Sequence, residues 1–106
     1  MELTTKQRII LLSTLLGARG NLTELRILRE LREALSFTEE EHAALEMVSD
    51  DEGNISWSSK NDSTKEVEIG EVARGLIIDQ LKTLNRSGQL ADGHLDIIEL
   101  FPEAEV

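Results

Sequence analysis

Asn21–Leu35, N-L-T-E-L-R-I-L-R-E-L-R-E-A-L, decides how this chain is read. Ile27, Leu28, Leu31, Ala34 and Leu35 recur at helical spacing on one stripe, while Arg26, Arg29, Glu30, Arg32 and Glu33 fall on the other side. That pattern is a helix with one buried and one wet face. Asn21 followed three residues on by Glu24 is an N-terminal capping signal, because each side chain can satisfy a backbone N–H that the first turn leaves without a partner. The rest of the chain is expected to pack around this helix.

Upstream, Thr4 or Thr5 is placed to cap a first helix running to about Leu16. Its Ile9-Ile10-Leu11-Leu12 and Leu15-Leu16 are apolar around most of the circumference, so it should lie centrally or be shared with another subunit. Gly17 suits the left-handed residue that ends it, and Gly20-Asn21 turns into the next helix. Downstream, Thr38 and Glu41 form a second capping box, opening a third helix from Glu39 to about Met47. Phe37 stands where a hydrophobic staple would start, but His42 occupies the position that should answer it. Glu39, Glu40 and Glu41 fill the first turn, where the helix dipole favours negative charge.

Ser49–Asn54 is an acidic turn containing Asp50, Asp51 and Glu52. Ile55 and Trp57 then alternate with serines, and Val67 and Ile69 alternate with glutamates, around a polar loop at Ser59–Lys65. The two period-two runs predict a β-hairpin with one apolar face, which must lie on the helices to be stable. A fourth helix, Gly70 to about Arg86, carries Val72, Ala73, Leu76, Ile77, Leu81 and Leu84 at spacings of three and four. Gly75 inside it costs about 1 kcal/mol against alanine, a cost expected to be offset by close approach of another backbone. Ser87-Gly88 ends that helix. A short fifth follows Asp92, with Leu95, Ile98 and Phe101 inward, and Pro102–Val106 is expected to be a flexible acidic tail. The fold class is therefore mainly α with some β: a single domain over 1–106, with about five helices and one hairpin between the third and fourth.

The 106 residues suffice for one core. Aromatics are confined to Phe37, Trp57 and Phe101, so that core is aliphatic. The absence of cysteine excludes disulfides, thiolate metal sites and a cysteine nucleophile. No apolar run approaches the roughly 20 residues of a membrane span, and the N-terminus lacks signal-peptide features, so a cytoplasmic protein without membrane contact is expected. His42 and His94 have no metal-site spacing. In Asp50–Asn54, Gly53 counted as the sixth position of a calcium loop places Val48 at the first, which fails. No phosphate-binding glycine loop or nucleophile elbow is present. Neither catalysis nor a cofactor nor a small-molecule substrate is expected.

Net charge is −10 and unevenly spread: residues 1–35 carry six basic against four acidic residues, and residues 36–106 five against seventeen. The order helix–helix–helix–hairpin is that of a winged-helix DNA binder. Yet the helix that would enter the groove carries Glu39, Glu40, Glu41 and Glu46 with no Lys or Arg, which disfavours nucleic acid.

Across roughly Leu22–Phe101, the segments L-R-E-A-L-S-F-T-E-E-E, G-N-I-S-W, K-E-V-E-I-G, L-I-I-D-Q-L-K-T-L and G-Q-L-A-D-G-H-L resemble small acidic bacteriophage proteins of unknown function. The resemblance implies synthesis in a bacterial cytoplasm and action by binding a host protein, sometimes by imitating the charge of DNA. From the residues themselves the expected function is a non-enzymatic protein–protein interaction module, binding itself (a homodimer, for instance) or a protein partner. The alternative is an acidic inhibitor that occupies the basic cleft of a nucleic-acid-binding host protein. Candidate partner-binding residues are Arg26, Arg29 and Arg32, the one basic ridge, and the acids Glu39, Glu40, Glu41, Asp50, Asp51 and Glu52.

Overall fold

The structure, a computed structural model, describes residues 1–52, 55–58 and 64–105. Among them are five α-helices: α1 (Thr5–Leu15), α2 (Leu22–Leu35), α3 (Glu39–Leu45), α4 (Glu71–Arg86) and α5 (Gly93–Leu100). Four two-residue strands accompany them: β1 (Glu2–Leu3), β2 (Val48–Ser49), β3 (Ile55–Ser56) and β4 (Lys65–Glu66). The fold is mainly α, with a hairpin between α3 and α4.

Helix starts follow local chemistry. Asn21 Oδ1 accepts from Glu24 N at 2.9 Å, and Glu24 Oε1 accepts from Asn21 N at 2.9 Å. Thr38 with Glu41, and Thr4 with Gln7, close the same reciprocal box. Gly17 and Gly88 end α1 and α4 with φ of 79° and 69°, a region open to glycine at no steric cost. Helix α3 stops at Leu45, earlier than Met47, because Glu46 turns into the left-handed region (φ 51°) and hands the chain to β2.

The core is a cluster of Leu11 and Leu15 from α1, Leu28, Leu31 and Leu35 from α2, Ile77 and Leu81 from α4, and Ile97 and Phe101 at the α5 end. Helix α1 touches α2, α4 and α5, the central position its composition predicts. On α2 the expected stripe narrows: Ala34 is exposed and Ile27 only half-buried. On α5, Ile97 takes the inward place expected for Leu95, which stays exposed.

Strand pairing differs from the sequence reading. Val48 and Ser49 of β2 pair antiparallel with Ser56 and Ile55 of β3, so the acidic segment after Ser49 is the hairpin turn. In that turn Asp50 Oδ1 accepts from Glu52 N at 2.9 Å. Residues 65–66 instead pair with β1, setting Glu2 opposite Glu66 and Leu3 opposite Lys65. Alternation fixes which face of a strand is apolar, not which strand it meets, and the shorter acidic closure costs less loop entropy than the longer polar one. The polar loop expected at Ser59–Lys65 lies, up to residue 63, outside the described residues, as do Gly53 and Asn54.

Two further expectations change. Pro102–Glu105 is not a loose tail: it forms a 3₁₀ turn that buries Ala104, and Arg74 donates to Glu103 Oε2 at 2.7 Å. Gly75 admits no neighbouring backbone, since a Cβ there would meet nothing within 4 Å. Gly75→Ala is therefore expected to stabilise the protein by about 0.5–1 kcal/mol, read as a higher urea midpoint. A lower midpoint would mean the position is tighter than this geometry allows.

Candidate functional site

One side of α1 is only partly covered, with Ile9 and Leu12 half-buried and Leu16 exposed. Ile9, Leu12 and Leu16 recur at i, i+3 and i+7, a stripe distinct from the buried Leu11 and Leu15. They floor an open groove of about 720 Å³. Arg29, Arg32 and Glu33 of α2 with Ser36 just past its end form one wall, and Phe37, Met47 and Ile55 close the other side. Leu16 is 66 % exposed and Ile55 42 %, large apolar fractions to leave in water. On α2, exposed Leu22 and Leu25 carry the apolar surface one turn further, at helical spacing from Arg29.

One residue shapes this groove, and it belongs to no motif. Arg8, on α1, is only 2 % exposed. Its Nε donates to Leu35 O at 3.1 Å, and a terminal nitrogen donates to Ser36 O at 2.7 Å, satisfying carbonyls at the C-terminus of α2. The other terminal nitrogen donates to Glu41 Oε2 at 2.5 Å. The guanidinium also stacks 3.9 Å from the centre of the Phe37 ring, and Phe37 meets His42 edge-on. A single cation thus ties α1 to the end of α2 and the start of α3, and His42 fills the staple position with a ring contact. The signal was in the sequence: Arg8 lies at i, i+3 and i+7 with Leu11 and Leu15, a charge on the buried stripe.

Glu41 responds to this setting. The hydrogen bond from Arg8 holds its carboxyl down, from the ordinary 4.5 to about 2, against the opposing effect of burial; the Thr38 backbone N–H and the Arg8 and Lys65 charges add to the lowering. An unfolded Glu41 titrates near 4.5, so the stabilisation is complete above that pH and is lost as pH falls from 4.5 through about 2. Discounted for a side chain 28 % exposed, the loss is expected to be about 2 kcal/mol. Urea unfolding of wild type and Glu41→Gln across this window checks it. The wild type should lose stability more steeply, and parallel profiles would contradict the assignment.

The structure separates the sequence-derived candidates. Arg29 and Arg32 line the groove; Arg26 sits on the exposed face of α2 and does not. Among the described residues no carboxylate closes an ion pair with Arg26, Arg29 or Arg32. The i,i+4 pairs Arg26–Glu30 and Arg29–Glu33 therefore stay open, as expected where a few tenths of a kcal/mol compete with side-chain entropy. Glu39 and Glu40 are exposed in the first turn of α3, whereas Glu41 is engaged by Arg8 and by Lys65 at 3.8 Å. Asp51 and Glu52 are exposed in the hairpin turn beside Asp50. His94 Nδ1 accepts from Ala91 N at 2.9 Å, at the start of α5. No group of three or more metal-ligating side chains occurs among the described residues, and none of their helices is long and apolar enough to cross a membrane. No protein-family model matches the chain, nor does any curated protein or solved structure, so the groove is read from its own geometry.

Proposed function

We propose that this chain is a non-enzymatic protein-interaction module and that the groove between α1 and α2 is its docking face. The observation that carries this reading is the combination at the groove: an apolar floor open to water, beside Arg29 and Arg32, neither of which closes an ion pair among the described residues although Glu33 shares the lining. Such a surface suits an apolar ridge flanked by carboxylates. The ridge would remove Leu12, Leu16 and Ile55 from water at about 25 cal/mol per Å², and the carboxylates would meet the two guanidinium groups, whose planar forks fit that geometry. Arginine at the edge of an apolar patch is a composition enriched where binding energy concentrates.

The test places a photo-crosslinking amino acid at Leu16, in the groove, or at Leu95, an equally exposed leucine on α5. Illumination in the cells that make the protein should give protein adducts from position 16 and few from position 95. Adducts from neither position, or equal adducts from both, would overturn the reading.

A further inference from the structure

Helix α2 has a second hollow on its other side. Ile27, Glu30, Leu31 and Ala34 line it from α2, and the residues leading into α4 complete it, in a space of about 500 Å³. The groove's charged lining, Arg29, Arg32 and Glu33, is net positive, whereas that of this hollow is acidic throughout. Glu30, Glu68 and Glu71 line it, and no Lys or Arg does, among the described residues. None of the three closes an ion pair among those residues. Directly after Glu71 the chain leaves Val72 59 % exposed.

We infer that the occupant of the groove is a second copy of this chain, docked head-to-tail: the Glu68–Val72 corner of one molecule enters the Arg29–Arg32 groove of the next. This rests on the groove being a docking face. At 100° per residue, Arg29 and Arg32 lie on the side of α2 opposite Glu30 and Ala34. A rigid helix therefore separates the two complementary surfaces, and no molecule can bring its own corner into its own groove. Groove-to-groove pairing offers two arginines of each molecule only one carboxylate, Glu33, of the other, whereas corner-to-groove pairing gives each guanidinium a carboxylate and Val72 an apolar floor. Such a contact is heterologous: each molecule keeps one free groove and one free corner, so growth continues past two unless a ring closes.

Sedimentation equilibrium on the full chain tests this with two charge-reversed variants, R29E/R32E and E68R/E71R, each checked for native circular dichroism. The wild type should gain mass beyond a dimer with concentration and lose it with added salt. Each variant alone should associate at least roughly tenfold more weakly. Mixed, they should associate again and grow past two, because the wild-type corner of one fits the wild-type groove of the other and the reversed corner fits the reversed groove. A chain carrying all four substitutions should associate again. A monomeric wild type, a wild type that stops at two, or a mixture of folded variants that stays monomeric would overturn the inference. Adducts at position 16 to a different protein, with a monomeric pure chain, overturn self-docking but keep the docking face; no adducts at all remove the docking face itself.

Discussion

Replacing Arg8 with alanine is expected to destabilise the protein by about 3–5 kcal/mol, the range for removing one partner of a buried ion pair. That is a fifth or more of the ~5–15 kcal/mol that holds a domain of this size together. The cause is the set of groups left behind. Leu35 O and Ser36 O lose their donors, Phe37 loses its stacking cation, and Glu41 keeps only the Thr38 N–H and Lys65 at 3.8 Å. Urea unfolding should show a lower midpoint with an unchanged slope. Arg8→Met combined with Glu41→Leu should be milder than Arg8→Ala, because an apolar pair of similar volume leaves no uncompensated charge and only the two carbonyls still lack their donor. A loss below about 1 kcal/mol for Arg8→Ala would show that the cation is not buried as described. The ends of α2 and α3 that Arg8 holds are also walls of the groove, so stability and docking should fail together in this variant.

Phe101→Ala is the second large effect, again about 3–5 kcal/mol, from lost apolar burial plus the cavity left behind. Phe101 has no exposed surface, and the Arg74 guanidinium lies 4.9 Å from its ring centre. It caps α5 and starts the 3₁₀ turn that buries Ala104, so its removal loosens both. The melting temperature should fall on the order of 15–25 °C, since each kcal/mol shifts a domain of this size by several degrees. Phe101→Leu, which keeps most of the volume, should cost under about 1.5 kcal/mol. A loss from alanine no larger than from leucine would mean the ring is not at the core.

The helices could be read from the chain because their signals are local. Asn21 with Glu24, Thr38 with Glu41, Gly17 and Gly88 each act within one turn, and each stands where the sequence put it. Strand partners are long-range. Nothing near Lys65 announces that Leu3 lies opposite it, and β1 is too short to show a period. The tail misled because Pro102 and the acids around it resemble a frayed end, while the burial of Ala104 depends on α4 and α5 both packing on that turn. The arginine ridge was legible as spacing but only half as geometry. Three-residue steps drift by about 60° around a helix, so Arg29 and Arg32 reach the groove and Arg26 is carried away from it. Arg8 was hidden by its apolar neighbours. Only its register with Leu11 and Leu15 betrays that it points inward.

The central claim, that the α1–α2 groove is a docking face, is tested most directly by carbene footprinting. The chain is labelled when dilute and pure, and again in an extract of the cells that make it. The account expects Leu16, Met47 and Ile55 to lose label in the extract while Leu95 keeps it. Unchanged labelling at Leu16 and Ile55, or equal protection of Leu95, would contradict it.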